Sequence, residues 1–284
     1  MRRWLLISVI SAASAVAVDS YQQTIEHWRQ QHETTLKADG GWLTVTGLFW
    51  LKPGENRAGS DPSNEIALPR GPAHLGEFQL RNGAVSFRPE RRGSSSTILK
   101  PDTDQSISVN DLSLFVIHRG ERYAIRLKDK QSKLRREFTG LHWFPVKEEY
   151  RITAKFVPFE KPVFLTVPNI LGESTQEPSP GYAVFTLHGH EYRLQPVLDE
   201  GELFFIFRDL TTGKETYPSG RFLYASPAKD GKVVLDFNKA ENPPCAFTPY
   251  ATCPLPPPQN RLAVRIEAGE LNYGHHASDS ASLR

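Results

Sequence analysis

The chain is poor in cysteine, carries no excess of either charge, and lacks the motifs that mark the commoner catalytic sites. Cysteine occurs only at Cys245 and Cys253, so one pair at most can form. Lys and Arg total 34 against 32 Asp and Glu, and this balance leaves no electrostatic footprint for nucleic acid. Beyond the first residues no run approaches the roughly 20 apolar residues that cross a bilayer, so no membrane span is expected. There is no Gly-x-Ser-x-Gly elbow, no His-Glu-x-x-His and no Gly-x-x-x-x-Gly-Lys loop. No cofactor and no metal site are therefore expected. A fixed-period repeat is also missing.

What is present is ordinary globular composition with a β bias. Hydrophobic residues make up 39% and charged residues 23%, enough to build a core and too apolar for disorder. Aromatics at 11% and 22 prolines favour strands and shaped loops over helices.

The N-terminus reads as an export leader, residues 1–17. Arg2 and Arg3 precede an apolar stretch from Trp4 to Ile10, and Ala15-Val16-Ala17 fits the small-x-small cleavage rule. The mature protein is expected to be secreted or otherwise exported. A helix is expected over Asp19 to Lys37, within 18–40. Asp19 or Ser20 would cap it, and Tyr21, Ile25, Trp28 and Leu36 would share its apolar face.

After Asp39-Gly40-Gly41 the period changes to that of strands. Short β-branched and aromatic runs follow: Trp42 to Leu51, Phe78 to Phe87, Leu112 to Ile117, Tyr123 to Leu127, Tyr150 to Phe156, Val163 to Val167, Tyr182 to Leu187, Glu202 to Phe207, Arg221 to Ala225, Lys232 to Phe237 and Leu262 to Glu267. Turn signals such as Arg81-Asn82-Gly83 and His188-Gly189-His190 separate them. The expected fold is mostly β: two sandwich- or barrel-like units, 41–145 and 146–273, with one N-terminal α-helix. An unstructured tail is expected over 274–284.

Gly47-Leu48-Phe49-Trp50-Leu51, Gly140-Leu141-His142-Trp143-Phe144-Pro145-Val146 and Asn242-Pro243-Pro244-Cys245, with Cys253-Pro254-Leu255-Pro256-Pro257 and Asn260-Arg261-Leu262 after them, resemble domain-of-unknown-function family 1684. The resemblance implies no activity. Gly54 to Asp61 and Asn64 to Leu68 are similar to the opening of forkhead-associated domains, which implies a β sandwich. Arg57 stands two residues before Gly59 rather than beside it, and the later Ser-x-x-His of a phosphothreonine site is missing.

Two constellations could carry chemistry. Cys245 and Cys253 enclose a proline-stiffened loop, and in an exported chain a disulfide is the first expectation. Two buried free thiols or a metal-holding pair are the alternatives, although zinc thiolates usually sit two to four residues apart. The second constellation is polar: Tyr217, Arg221, Asp236, Asn238, Asn242 and Arg261, with Asp209, Thr216, Arg265, Glu267 and Glu270 nearby in sequence. A phenol, guanidinium, carboxylate and amides could together hold a small polar or carbohydrate-like ligand. Two alternatives stand beside this. One is a hydrolase using Asp236 or Glu270 with Arg221 as anion holder. The other is a structural clasp whose side chains only satisfy loop backbone. His188 and His190 flank a glycine and read as a turn tip; His118 and His142 read as structural. No sequence feature specifies an oligomeric state.

Overall fold

A computed structural model describes residues 9–91 and 93–273. The first residues of the expected leader, 1–8, and the expected tail, 274–284, lie outside the described residues. The chain is mostly β, with one long N-terminal helix and several largely antiparallel sheets in two compact units. Unit 1 draws on Met1–Thr35, Thr139–Ala246 and Thr252–Arg284; unit 2 draws on Leu36–Phe138 and Phe247–Ala251.

Helix α1 spans Val9–Lys37 and so starts ten residues before the expected cap at Asp19. Its first turns are rich in alanine, the residue that costs least to hold helically, and neither Gly nor Pro interrupts it. Ile25 and Arg29 are buried, with Tyr21, Trp28 and His32 half-buried beside them. That three-to-four residue spacing is one stripe of a helix laid on a core.

Unit 2 holds β1 (Val45–Trp50), β2 (Gly54–Gly59), β3 (Ile66–Ala67), β4 (Gly76–Arg81), β5 (Ala84–Pro89), β6 (Thr97–Leu99), β7 (Ser106–Val109), β8 (Leu112–Arg119) and β9 (Arg122–Asp129). They form two sheets, ordered β1-β9-β8-β7 and β3-β2-β4-β5-β6. Leu112, Leu114 and Val116 alternate inward along β8 and share one buried cluster with Phe78, Val85, Phe87 and Leu99 of the other sheet. Two sheets meeting through alternating inward residues make a sandwich. The expected single run Phe78 to Phe87 turns back on itself at Asn82-Gly83. Both residues have positive φ (51° and 74°), which gives the tight hairpin turn that matches strand twist.

Unit 1 holds β10 (Arg151–Pro168), β11 (Ser174–Leu187), β12 (His190–Leu194), β13 (Val197–Asp199), β14 (Glu202–Phe207), β15 (Arg221–Ala225) and β16 (Lys232–Asp236). The sheets are ordered β12-β11-β10-β16 and β13-β14-β15. The two runs expected at Tyr150 to Phe156 and Val163 to Val167 are one strand, β10. Its pairing with β11 slips between Pro158 and Val163, because proline has no N–H to give the ladder. Leu203, Phe205, Phe207, Leu223, Leu235 and Phe237 lie at the centre of the core.

Leu262 to Glu267, expected as a strand, is not one. Its alternate residues Leu262, Val264 and Ile266 are buried as in a strand, but its backbone pairs irregularly, through the bridge at Arg208–Arg261 and a bond from the Leu210 N–H to the Val264 carbonyl at 2.9 Å. At Ile266 side chains have taken over the ladder: Asp209 accepts the Ile266 N–H at 2.6 Å, and Arg221 donates to the Ile266 carbonyl at 3.1 Å.

Candidate functional site

The polar residues singled out by sequence all belong to unit 1, but they separate into three groups. The first is wholly internal. Arg221 opens β15 with no exposed surface, 3.2 Å from the equally buried Asp209 carboxylate. It also donates to the Ala268 carbonyl and lies 5.1 Å from the Phe207 ring. Asp209 accepts from Thr211 Oγ1 at 2.7 Å, and Thr211 is bonded to Thr216. This arrangement ties the irregular segment 262–268 to the sheet.

The cysteines belong to the same internal category. They are two buried free thiols rather than the expected disulfide. The 3-10 turn Pro244–Ala246 aims the Cys245 N–H at Cys253 Sγ, 3.1 Å away, so the second sulfur serves as a backbone acceptor. Hydrogen bonding from the Cys253 thiol holds Cys245 below the usual thiol range, against the raising effect of burial. Tyr217 donates to the Cys245 carbonyl at 2.9 Å, and burial followed by the neighbouring Cys245 raises its phenol above the ordinary value. Arg261 is exposed and stands apart from these contacts, pairing through its backbone with Arg208.

The second group surrounds His32. Glu270 is completely buried and accepts from the Asn242 N–H at 2.9 Å and the Asn242 side-chain amide at 2.7 Å. His32 Nε2 lies 3.7 Å from Glu270, and Nδ1 lies 3.2 Å from Glu241. The imidazole stacks on Trp28 at 5.4 Å and meets Trp143 edge-on at 5.9 Å. Burial pushes Glu241 up to about 7; His32 opposes that rise and Glu270 adds to it.

The third group is buried but borders a cleft. Asp236 ends β16 and caps the 3-10 turn Phe237–Lys239. Its Oδ1 accepts from Tyr21 Oη at 2.8 Å, from the Asn238 N–H at 3.2 Å and from Asn238 Nδ2 at 3.3 Å. Asn238 is fully buried and bonds Lys147 twice, accepting its N–H at 3.0 Å and donating to its carbonyl at 2.8 Å. Beside this network lies a half-open cleft of about 560 Å³, lined by Tyr21, Thr24, Ile25, Glu148, Arg151, Asp236 and Lys239. Arg151 stacks over the Tyr21 ring at 5.5 Å. Burial and then the Asp236 carboxylate raise the Tyr21 phenol, so it stays a donor at any ordinary pH.

Of the sequence-based candidates, Asp236 alone lines this cleft, with Asn238 directly behind it. Arg221, Asn242 and Glu270 are interior. Sequence reading missed Arg151, Lys239, His32 and Glu241. Arg151 and Lys239 carry no signal, since isolated basic residues on strands and turns are commonplace. His32 had one: it follows Trp28 by four residues and so lies on the same apolar face. Among the described residues no group of His, Cys, Asp and Glu is placed to hold a metal ion, and no helix is long and apolar enough to cross a membrane.

Comparison with known proteins adds little to the chemistry. A family model described as "Protein of unknown function (DUF1684)" matches residues 136–271. An uncharacterized protein of Haloarcula marismortui, solved in solution by NMR, is 32% identical; the match covers 50% of this chain and 81% of that one, with a TM-score of 0.42. No curated protein matches.

Proposed function

Since the chain belongs to the DUF1684 family, whose description assigns no activity, we propose from its geometry that unit 1 binds a small polar, hydroxyl-bearing ligand. The ligand lies in the cleft beside Asp236. The observation that carries this reading is the combination of an open cleft with a carboxylate already fixed on one oxygen. Three donors converge on Asp236 Oδ1, so the group is oriented before any ligand arrives, which lowers the cost of binding. Arg151 and Lys239 supply donors around it, Glu148 supplies a second acceptor, and Tyr21 supplies a ring. Mixed donors and acceptors at a partly apolar wall suit sugar-like or polyol hydroxyls better than a bare anion or cation.

A structural clasp accounts for Arg221 and Glu270, each wholly buried with its partners in place. It does not account for Asp236, which borders solvent-accessible space. Isothermal titration of the whole protein against neutral sugars, polyols and hydroxy acids tests the binding reading. One class is expected to bind, and Asp236→Ala and Arg151→Ala should each weaken it by about tenfold or more, the loss of a charged hydrogen bond. Silence across the panel, or full binding by both variants, sinks it.

We place this binder outside the cytoplasm on the sequence of its first 17 residues: the Arg2-Arg3 pair, the apolar run and the Ala15-Val16-Ala17 site. Intact-mass analysis of exported protein should show a chain lacking them; a retained Met1 refutes cleavage.

A further inference from the structure

One wall of the cleft belongs to α1, through Tyr21, Thr24 and Ile25. About three turns further along, the same helix presents His32 to two carboxylates that come from elsewhere in unit 1. The Glu270 carboxylate and the Glu241 backbone are held firmly. Glu270 is fixed by two bonds from Asn242, and Glu241 exchanges both backbone bonds with Phe222 of β15 at 2.9 Å. The imidazole cannot swing away easily, since it is packed against Trp28 and Trp143. Only a doubly protonated imidazole can donate toward Glu241 through Nδ1 and Glu270 through Nε2 together.

We infer that Glu241, His32 and Glu270 form a proton-operated clasp that seats α1 and thereby sets the α1 wall of the cleft. With the proton on, imidazolium stands beside the buried Glu270 carboxylate and a Glu241 that burial keeps largely neutral in mild acid. With it off, a neutral ring faces two like charges and the helix is held less tightly. The inference rests on reading the cleft as the binding site, and adds how access to it is regulated.

The carboxylates around the clasp favour a protonated His32, while the Arg221 cation beside Glu270 opposes it. Glu33 faces His32 from the same helix, while its own carboxylate accepts the Leu141 N–H at 2.8 Å. Glu241 feels Glu270 as well as His32, and Tyr224 of β15 feels Glu241. Arg221 lies close enough to Glu270 to feel its charge. Burial lowers His32, but the nearby carboxylates of Glu270, Glu241 and Glu33 outweigh it and leave the imidazole raised. Glu241 is raised too, to about 7. Groups with raised values hold protons more tightly in the seated state than in the loosened one. The seated state is therefore favoured in mild acid and weakens as pH climbs through 7.

Hydrogen exchange of the full-length protein, read by mass spectrometry and corrected for intrinsic rates, tests this without any ligand. Peptides covering 21–35 should lose about tenfold in protection between pH 6 and pH 8.5, one pK unit of coupling, while β14 and β15 change little. Glu241→Gln, a neutral isostere, should show a smaller step than the parent, and the double variant His32→Gln with Glu241→Gln should show none. Equal protection of 21–35 at both pH values, or a full step in both variants, overturns the clasp. The sugar and polyol panel separates the two readings. If nothing binds, the cleft reading fails while the exchange result still decides the clasp; if a ligand binds equally well at both pH values, the gating fails and the site stands.

Discussion

Arg221 shows how a residue chosen for its chemistry can serve the fold instead. A guanidinium with no exposed surface, 3.2 Å from a buried carboxylate, is worth little as a stabilising pair because both charges were stripped of water. Removing one partner is another matter. Arg221→Met leaves Asp209 charged and buried, and strands the Ile266 and Ala268 carbonyls. The expected loss is about 3–5 kcal/mol in urea unfolding. The paired variant Asp209→Leu with Arg221→Met should recover only the part due to the unpaired Asp209 charge, since the Ile266 N–H and both carbonyls stay stranded. A loss below about 1 kcal/mol in the single variant would show that the pair is not what anchors 262–268. Sequence made these polar residues visible as a cluster but gave no means of sorting them. Arg221, Asp236 and Glu270 look alike as letters. What separates them is whether the folded chain leaves a face open to solvent, and that depends on partners such as Tyr21, 215 residues away from Asp236.

At the scale of elements the strand periodicity carried further. Mostly β with one leading helix follows from the alternation along β8 and the turn at Asn82-Gly83. Two elements were misjudged for physical reasons. Residues 262–267 keep the alternation of a strand and pair with the backbone at 208 and 210, but no regular ladder runs on, because Asp209 and Arg221 occupy both backbone groups of Ile266. β10 reads as two runs, Tyr150 to Phe156 and Val163 to Val167, yet it is one strand whose register shifts between Pro158 and Val163. That shift places Gly181 against the bulge. A Cβ there would stand 2.3 Å from the Val157 carbonyl oxygen and 2.8 Å from Pro158 Cα, both backbone atoms with no easy escape. Gly181→Ala should therefore cost about 1–3 kcal/mol and expose β10 and β11 to exchange first. A variant with unchanged Tm would mean that the two strands can part there freely.

The whole molecule carries titrating groups of opposite sense in its two units. In unit 2, Asp129 is buried against Arg70, which donates to both its oxygens, and it accepts the Gln131 N–H at 2.7 Å. Burial alone would raise this carboxylate, but the Arg70 and Gln131 bonds outweigh it and hold it below 3.8. A depressed carboxylate contributes stability above its unfolded value and loses it as pH falls through the folded one. In unit 1 the raised His32 and Glu241 contribute in mild acid and lose that contribution as pH rises. Unit 2 should thus weaken below about pH 4, while unit 1 loses its Glu241 contribution progressively as pH rises from 4.5 to about 7. Exchange protection followed separately in β8–β9 and in 21–35 from pH 3 to pH 9 reads both limbs. Asp129→Asn should flatten the acid limb alone and Glu241→Gln the alkaline limb alone. Loss of protection in both units at the same end of the range would mean that neither cluster sets the pH response. If each limb instead answers only to its own substitution, proton sensitivity is a local property of each unit, and only the one that includes α1 bears on the cleft.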